Sequence, residues 1–76
     1  MDEQEQHKRL EELCGGPTRA FALMRLWESH SNPTSIFPLN DEEKRSLRRK
    51  NFIKSAERSG YKTSAIKAYL RLVGAY

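Results

Sequence analysis

A chain of 76 residues makes one domain with a thin core, since only about 60 % of the unfolded surface is buried at this size. Its single cysteine, Cys14, excludes an intramolecular disulfide, and no apolar run approaches the ~18 residues that a membrane span needs. The net charge of +4 hides a division: residues 1–40 hold six acids against four bases, whereas residues 41–76 hold ten bases against four acids, so the halves stand at −2 and +6.

The opening Met1-Asp2-Glu3-Gln4-Glu5 is acidic where a secretory leader would be basic and then apolar, so a cytoplasmic protein without membrane attachment is expected. Residues 2–14 read as a charged helix with one short apolar stripe, Leu10, Leu13 and Cys14. Gly15-Gly16 ends it. Pro17 suits the first position of a second helix, which runs to about Ser29. There Ala20, Leu23, Met24 and Trp27 share one face, flanked by Phe21 and Leu26, which predicts the central core element.

Ser31 to Asn40 is a loop fixed by Pro33 and Pro38. Its Ile36, Phe37 and Leu39 carry much apolar surface for a connection. They are expected to tuck into the core; the alternative is a docking patch for a protein partner. Asn40 is a good N-cap, with Glu43 three residues on to complete a capping box. A third helix therefore starts at Asp41 and stops near Gly60, with Leu47, Phe52, Ile53 and Ala56 as its apolar residues. Asn51 leaves open a division into two shorter pieces. Lys62 or Thr63 caps a last helix, closed by Gly74, with Ile66, Tyr69, Leu70 and Val73 on one face and Lys67 and Arg71 away from it. The expectation is an all-α single domain: a small bundle of three to five helices packed around the second.

The stretch from Phe52 to Gly74 is the informative one. A helix-turn-helix needs a small residue where its helices cross, a glycine at the turn and an aliphatic residue where the second helix packs back. Ala56, Gly60 and Ile66 stand at that spacing, inside the basic half. With the run Gly60-Tyr61-Lys62-Thr63-Ser64-Ala65-Ile66, this segment resembles the helix-turn-helix of phage repressors of the Cro type, over about residues 52–74. The resemblance implies a DNA-binding transcriptional regulator encoded by a phage or another mobile element. It also implies that Lys62, Thr63, Ser64, Lys67 and Arg71 face the bases, and that Arg48, Arg49, Lys50, Lys54 and Arg58 hold phosphates. The family's C-terminal dimer strand has no counterpart after Gly74, so a homodimer would use another surface.

Two other readings remain open. One is a regulator that binds RNA polymerase and modulates initiation or termination, docking through the second helix or the Ile36-Phe37-Pro38-Leu39 loop. The other is RNA binding through the basic helix. No enzyme is expected, because there is no glycine-rich phosphate loop, catalytic carboxylate pair or Cys-His nucleophile. His7, Cys14 and His30 match no zinc spacing, so neither a metal nor a cofactor is expected. Cys14 reads as a buried small apolar residue, and Trp27 as core.

Overall fold

The computed structural model describes residues 3–75, and all the regular structure among them is helical. There are four α-helices: α1 (Glu3–Cys14), α2 (Pro17–Ser29), α3 (Asp41–Arg58) and α4 (Thr63–Leu72). The expected start of the first helix at Asp2 lies outside the described residues. No helix is long and apolar enough to cross a membrane, among the residues described.

Local chemistry sets the boundaries. Gly15, at φ 93°, lets Gly16 N–H reach back 2.8 Å to the Glu11 carbonyl, which closes α1. Pro17 opens α2 from its first turn. Asn40 Oδ1 accepts from Glu43 N–H at 2.7 Å while Asn40 N–H donates to Glu43 Oε1 at 3.1 Å, the reciprocal box that starts α3. Asp41, Glu42 and Glu43 then place negative charge at the positive end of the helix dipole. Asn51 does not divide α3, which runs unbroken for 18 residues.

Gly60 ends that helix in the left-handed region at φ 86°. Its N–H donates to the Glu57 carbonyl at 3.0 Å and Tyr61 N–H to the Ala56 carbonyl at 3.1 Å, the paired bonds of a Schellman turn. Lys62, in extended conformation, is the N-cap of α4 and makes no side-chain cap bond.

The main helix–helix contacts run from α1 to α2 and α4, and from α3 to α2 and α4. The largest fully buried side chains are Phe52, Leu23, Ile66 and Leu70, so α4 supplies two of the four. Trp27, Phe52 and Tyr69 run through the centre as an aromatic column. Trp27 meets Phe52 edge-on at 5.1 Å, and Phe52 meets Tyr69 at 5.8 Å with the rings tilted.

Three apolar expectations differ from the structure. Phe21 and Met24 of α2 stay 54 % and 38 % exposed at the rim of a groove with α1, while Ala20, Leu23 and Trp27 are buried. Val73 becomes the C-cap of α4 and turns outward, and Ala75 fills the place instead, its N–H bonded to the Leu70 carbonyl at 2.8 Å. Ile36 and Phe37 do not tuck into the core: they are 91 % and 69 % exposed, while Leu39 is half-buried. The prolines hold that loop out along the surface, so its apolar side chains have nothing to reach.

Candidate nucleic-acid interface

Ala65, Ile66, Tyr69 and Leu70 bury one face of α4, and this decides where its polar residues point. At 3.6 residues per turn, Ser64, Lys67 and Arg71 fall within roughly 60° of arc on the opposite side. All three are exposed, as are Lys62 and Thr63 at the start of the helix. The five residues expected at base edges thus occupy one end and one face of a single helix. Ala56 and Ile66 are fully buried behind that face, and left-handed Gly60 makes the turn between the helices.

The bases of α3 divide into two groups. Lys50, Lys54 and Arg58, spaced four apart, are exposed and form a stripe along the outer side of the helix, away from Phe52. Arg48 and Arg49 flank Phe52 instead and are half-buried. The Arg48 guanidinium lies 3.7 Å from the centre of the Trp27 ring and donates from Nη2 to the Trp27 carbonyl at 2.9 Å, with Nε buried and without a partner. Arg49 Nη1 donates to the Ala75 carbonyl at 3.2 Å, tying down the C-terminal turn. These two arginines differ from the expected phosphate set because their helix face turns toward α2 and the chain end. Charge counting cannot see this.

α1 carries Glu3 and Glu5 in its first turn and packs against α4. Among the described residues, the groove between the two helices is edged by Gln6, Arg9, Leu10, Ala68, Arg71 and Leu72. Leu10 packs inward, and the i−1 and i−4 positions carry Arg9 and Gln6 to the rim beside Arg71. Arg9 therefore adds a base beside that face from the acidic half of the chain. Sequence reasoning missed it, although its place next to Leu10 in the apolar stripe was the available signal.

The turn between α3 and α4 is held from α2. Arg19 Nε donates to the Cys14 carbonyl at 3.0 Å and Nη2 to the Ser59 carbonyl at 3.3 Å, so one side chain joins the ends of α1 and α3. His30 Nε2 and Ser55 Oγ share a 3.1 Å hydrogen bond that joins the end of α2 to the middle of α3. Ser59 is exposed, and Ser55 is half-buried with His30 as its partner. Cys14 is buried, and burial pushes its thiol pKa up against the opposing pull of Arg19, so little nucleophilic thiolate forms near neutral pH. No cluster of three or more metal-ligating side chains occurs among the described residues.

No family model, curated protein or solved structure matches the chain.

Proposed function

We propose that the protein is a small DNA-binding regulator that acts by occupancy, with α4 entering a groove of the duplex and α3 lying along phosphates. The observation that carries this reading is the outward face of α4, where Ser64, Lys67 and Arg71 stand opposite a fully apolar side. Lys67 and Arg71 can donate to guanine O6 and N7, and Thr63 and Ser64 are permissive contacts. Lys50, Lys54 and Arg58 supply phosphate contacts, which set affinity and register but carry little sequence information. Arg48 and Arg49, half-buried and bonded to the Trp27 and Ala75 carbonyls, lie off the stripe of Lys50, Lys54 and Arg58 and are left out of this duplex-facing set.

The test is a gel shift against a pool of unrelated duplexes, comparing the parent chain with the K67E/R71E variant. Parent protein should enrich particular sequences, and the variant should keep salt-sensitive binding without preference. Equal binding to all duplexes by the parent would contradict a reading helix.

A second reading rests on the loop. Ile36 and Phe37 present two large apolar side chains to solvent, which suits docking on a protein such as RNA polymerase. If K67E/R71E leaves DNA binding intact while substitutions in the loop end capture of polymerase, this reading replaces the first.

A further inference from the structure

A cleft that includes neither Lys67 nor Arg71 lies at the C-terminal end of α4. It opens between the loop after α2, the first turns of α3 and the C-terminal turn, has a volume of about 470 Å³, and is edged by Trp27, Asn32, Lys44, Arg45, Arg48 and Gly74. Among the described residues its lining includes three cationic side chains and no carboxylate side chain. Lys44 and Arg45 have no role in the interface proposed above, and the cleft does not include Lys67 or Arg71.

Arg48 is held in place before any ligand arrives. Its guanidinium is stacked on Trp27 and anchored to the Trp27 carbonyl, while its buried Nε has no partner. Its positive charge is therefore fixed in position, and no carboxylate side chain among the described residues lines the wall beside it. Lys44 and Arg45 are exposed and flank it from the same helix. Fixed and mobile cations around a concave site favour an oxyanion, and an arginine-bearing site suits phosphate in particular. The volume falls in the range of small-molecule sites, about 300–1,000 Å³, and so admits more than a bare anion. Because Arg48 covers the Trp27 ring, no face is left there for a base to stack on. Recognition then falls on the phosphate.

We propose that this cleft binds the phosphate group of a nucleotide-sized ligand, through Lys44, Arg45 and the Trp27-stacked Arg48, with little regard to the base. The phosphate could come from a free nucleotide or from a nucleic-acid strand, and the two sources compete differently with DNA.

The chain has a single tryptophan, Trp27, in the cleft wall, so its fluorescence reports occupancy directly. Full-length protein is titrated with AMP, CMP, adenosine and cytidine, and amide shifts of Asn32 and Gly74 are followed alongside. Both monophosphates should bind with affinities within about threefold of each other, and both nucleosides should fail. K44E/R45E should weaken the monophosphates by roughly tenfold or more, and K8E/R25E, which reverses two exposed charges elsewhere, should leave them nearly unchanged. The milder K44Q/R45Q should weaken them in the same direction, whether or not the charge-reversed protein folds. Displacement of AMP by duplex DNA identifies a strand phosphate as the natural occupant, and simultaneous binding identifies a free nucleotide. Nucleosides binding as well as monophosphates would overturn the proposal, as would an equal loss in K8E/R25E. Neither outcome bears on Lys67 and Arg71, so this site and the α4 reading fail separately.

Discussion

Tyr61 and Arg19 hold each other twice: the Tyr61 hydroxyl donates to the Arg19 carbonyl at 2.7 Å, and the Arg19 guanidinium lies 4.4 Å from the centre of the Tyr61 ring. Forty-two residues separate them, so the pair fastens the first turn of α2 to the α3–α4 turn. The same guanidinium reaches the Ser59 carbonyl just before Gly60. The orientation of α4 thus depends on a residue outside the basic half.

Tyr61→Phe keeps the ring and removes the hydroxyl, leaving the Arg19 carbonyl without this donor. The expected cost is about 1–2 kcal/mol. For a domain of this size each kcal/mol lowers Tm by roughly 4–8 °C. A thermal melt followed by circular dichroism checks it, and an unchanged Tm would mean that water replaces the hydroxyl.

Phe52 is fully buried between Trp27 and Tyr69, and truncating it leaves a cavity where three helices meet. Phe52→Ala should cost about 3–5 kcal/mol. A core this small supplies only about 3–5 kcal/mol in total, so the variant should be substantially unfolded at 25 °C. Phe52→Leu should fold with a lowered Tm. Urea denaturation of both separates the two outcomes.

How far the sequence discloses this fold depends on whether a feature is local. Pro17, the Asn40–Glu43 box and Gly60 act within one turn of themselves, and each marks a helix end at the residue expected. Burial depends on what arrives from elsewhere in the chain. Met24 has the right period for the core but lies at the rim of a groove with α1 and stays partly exposed, and Val73 loses its place to Ala75 because the chain turns at Gly74. Arg48 and Arg49 belong to a run of bases that reads as solvated, and only the approach of Trp27 and the C-terminal turn draws them inward. The outward position of Lys67 was legible because the apolar spacing of α4 fixes both its faces.

Alkaline pH should destabilise the fold. Burial raises the Tyr69 phenol above its ordinary pKa, with Glu28 adding to the rise and Arg48 opposing it; burial likewise raises the Cys14 thiol, against Arg19. In the window above the ordinary values, the unfolded chain has lost protons that the folded chain still holds, so raising the pH favours unfolding. The contribution is complete below about pH 8 and is lost progressively above about pH 9–10, as pH rises toward the folded-state values. Tyr69→Phe retains the ring against Phe52 and removes the phenol's share, so its melting temperature should fall less steeply with pH. Identical slopes in parent and variant would contradict this.

Ile36 and Phe37 contribute little to the core, as their exposure shows. An I36S/F37S variant should keep its stability within about 0.5 kcal/mol. If the loop docks on a protein, the same variant should lose that partner in a pull-down while still binding DNA. A large fall in Tm would mean that the loop packs on the core in solution.

The central claim is that the outer faces of α3 and α4 form a cationic surface for a polyanion, and salt dependence tests it most directly. The association constant for one duplex is measured across a salt series for the parent chain and for K50Q, K54Q and R58Q. The account predicts a linear fall of log K with log salt concentration, and a slope shallower by about one for each substitution. A slope near zero for the parent, or slopes that the three variants leave untouched, would contradict it.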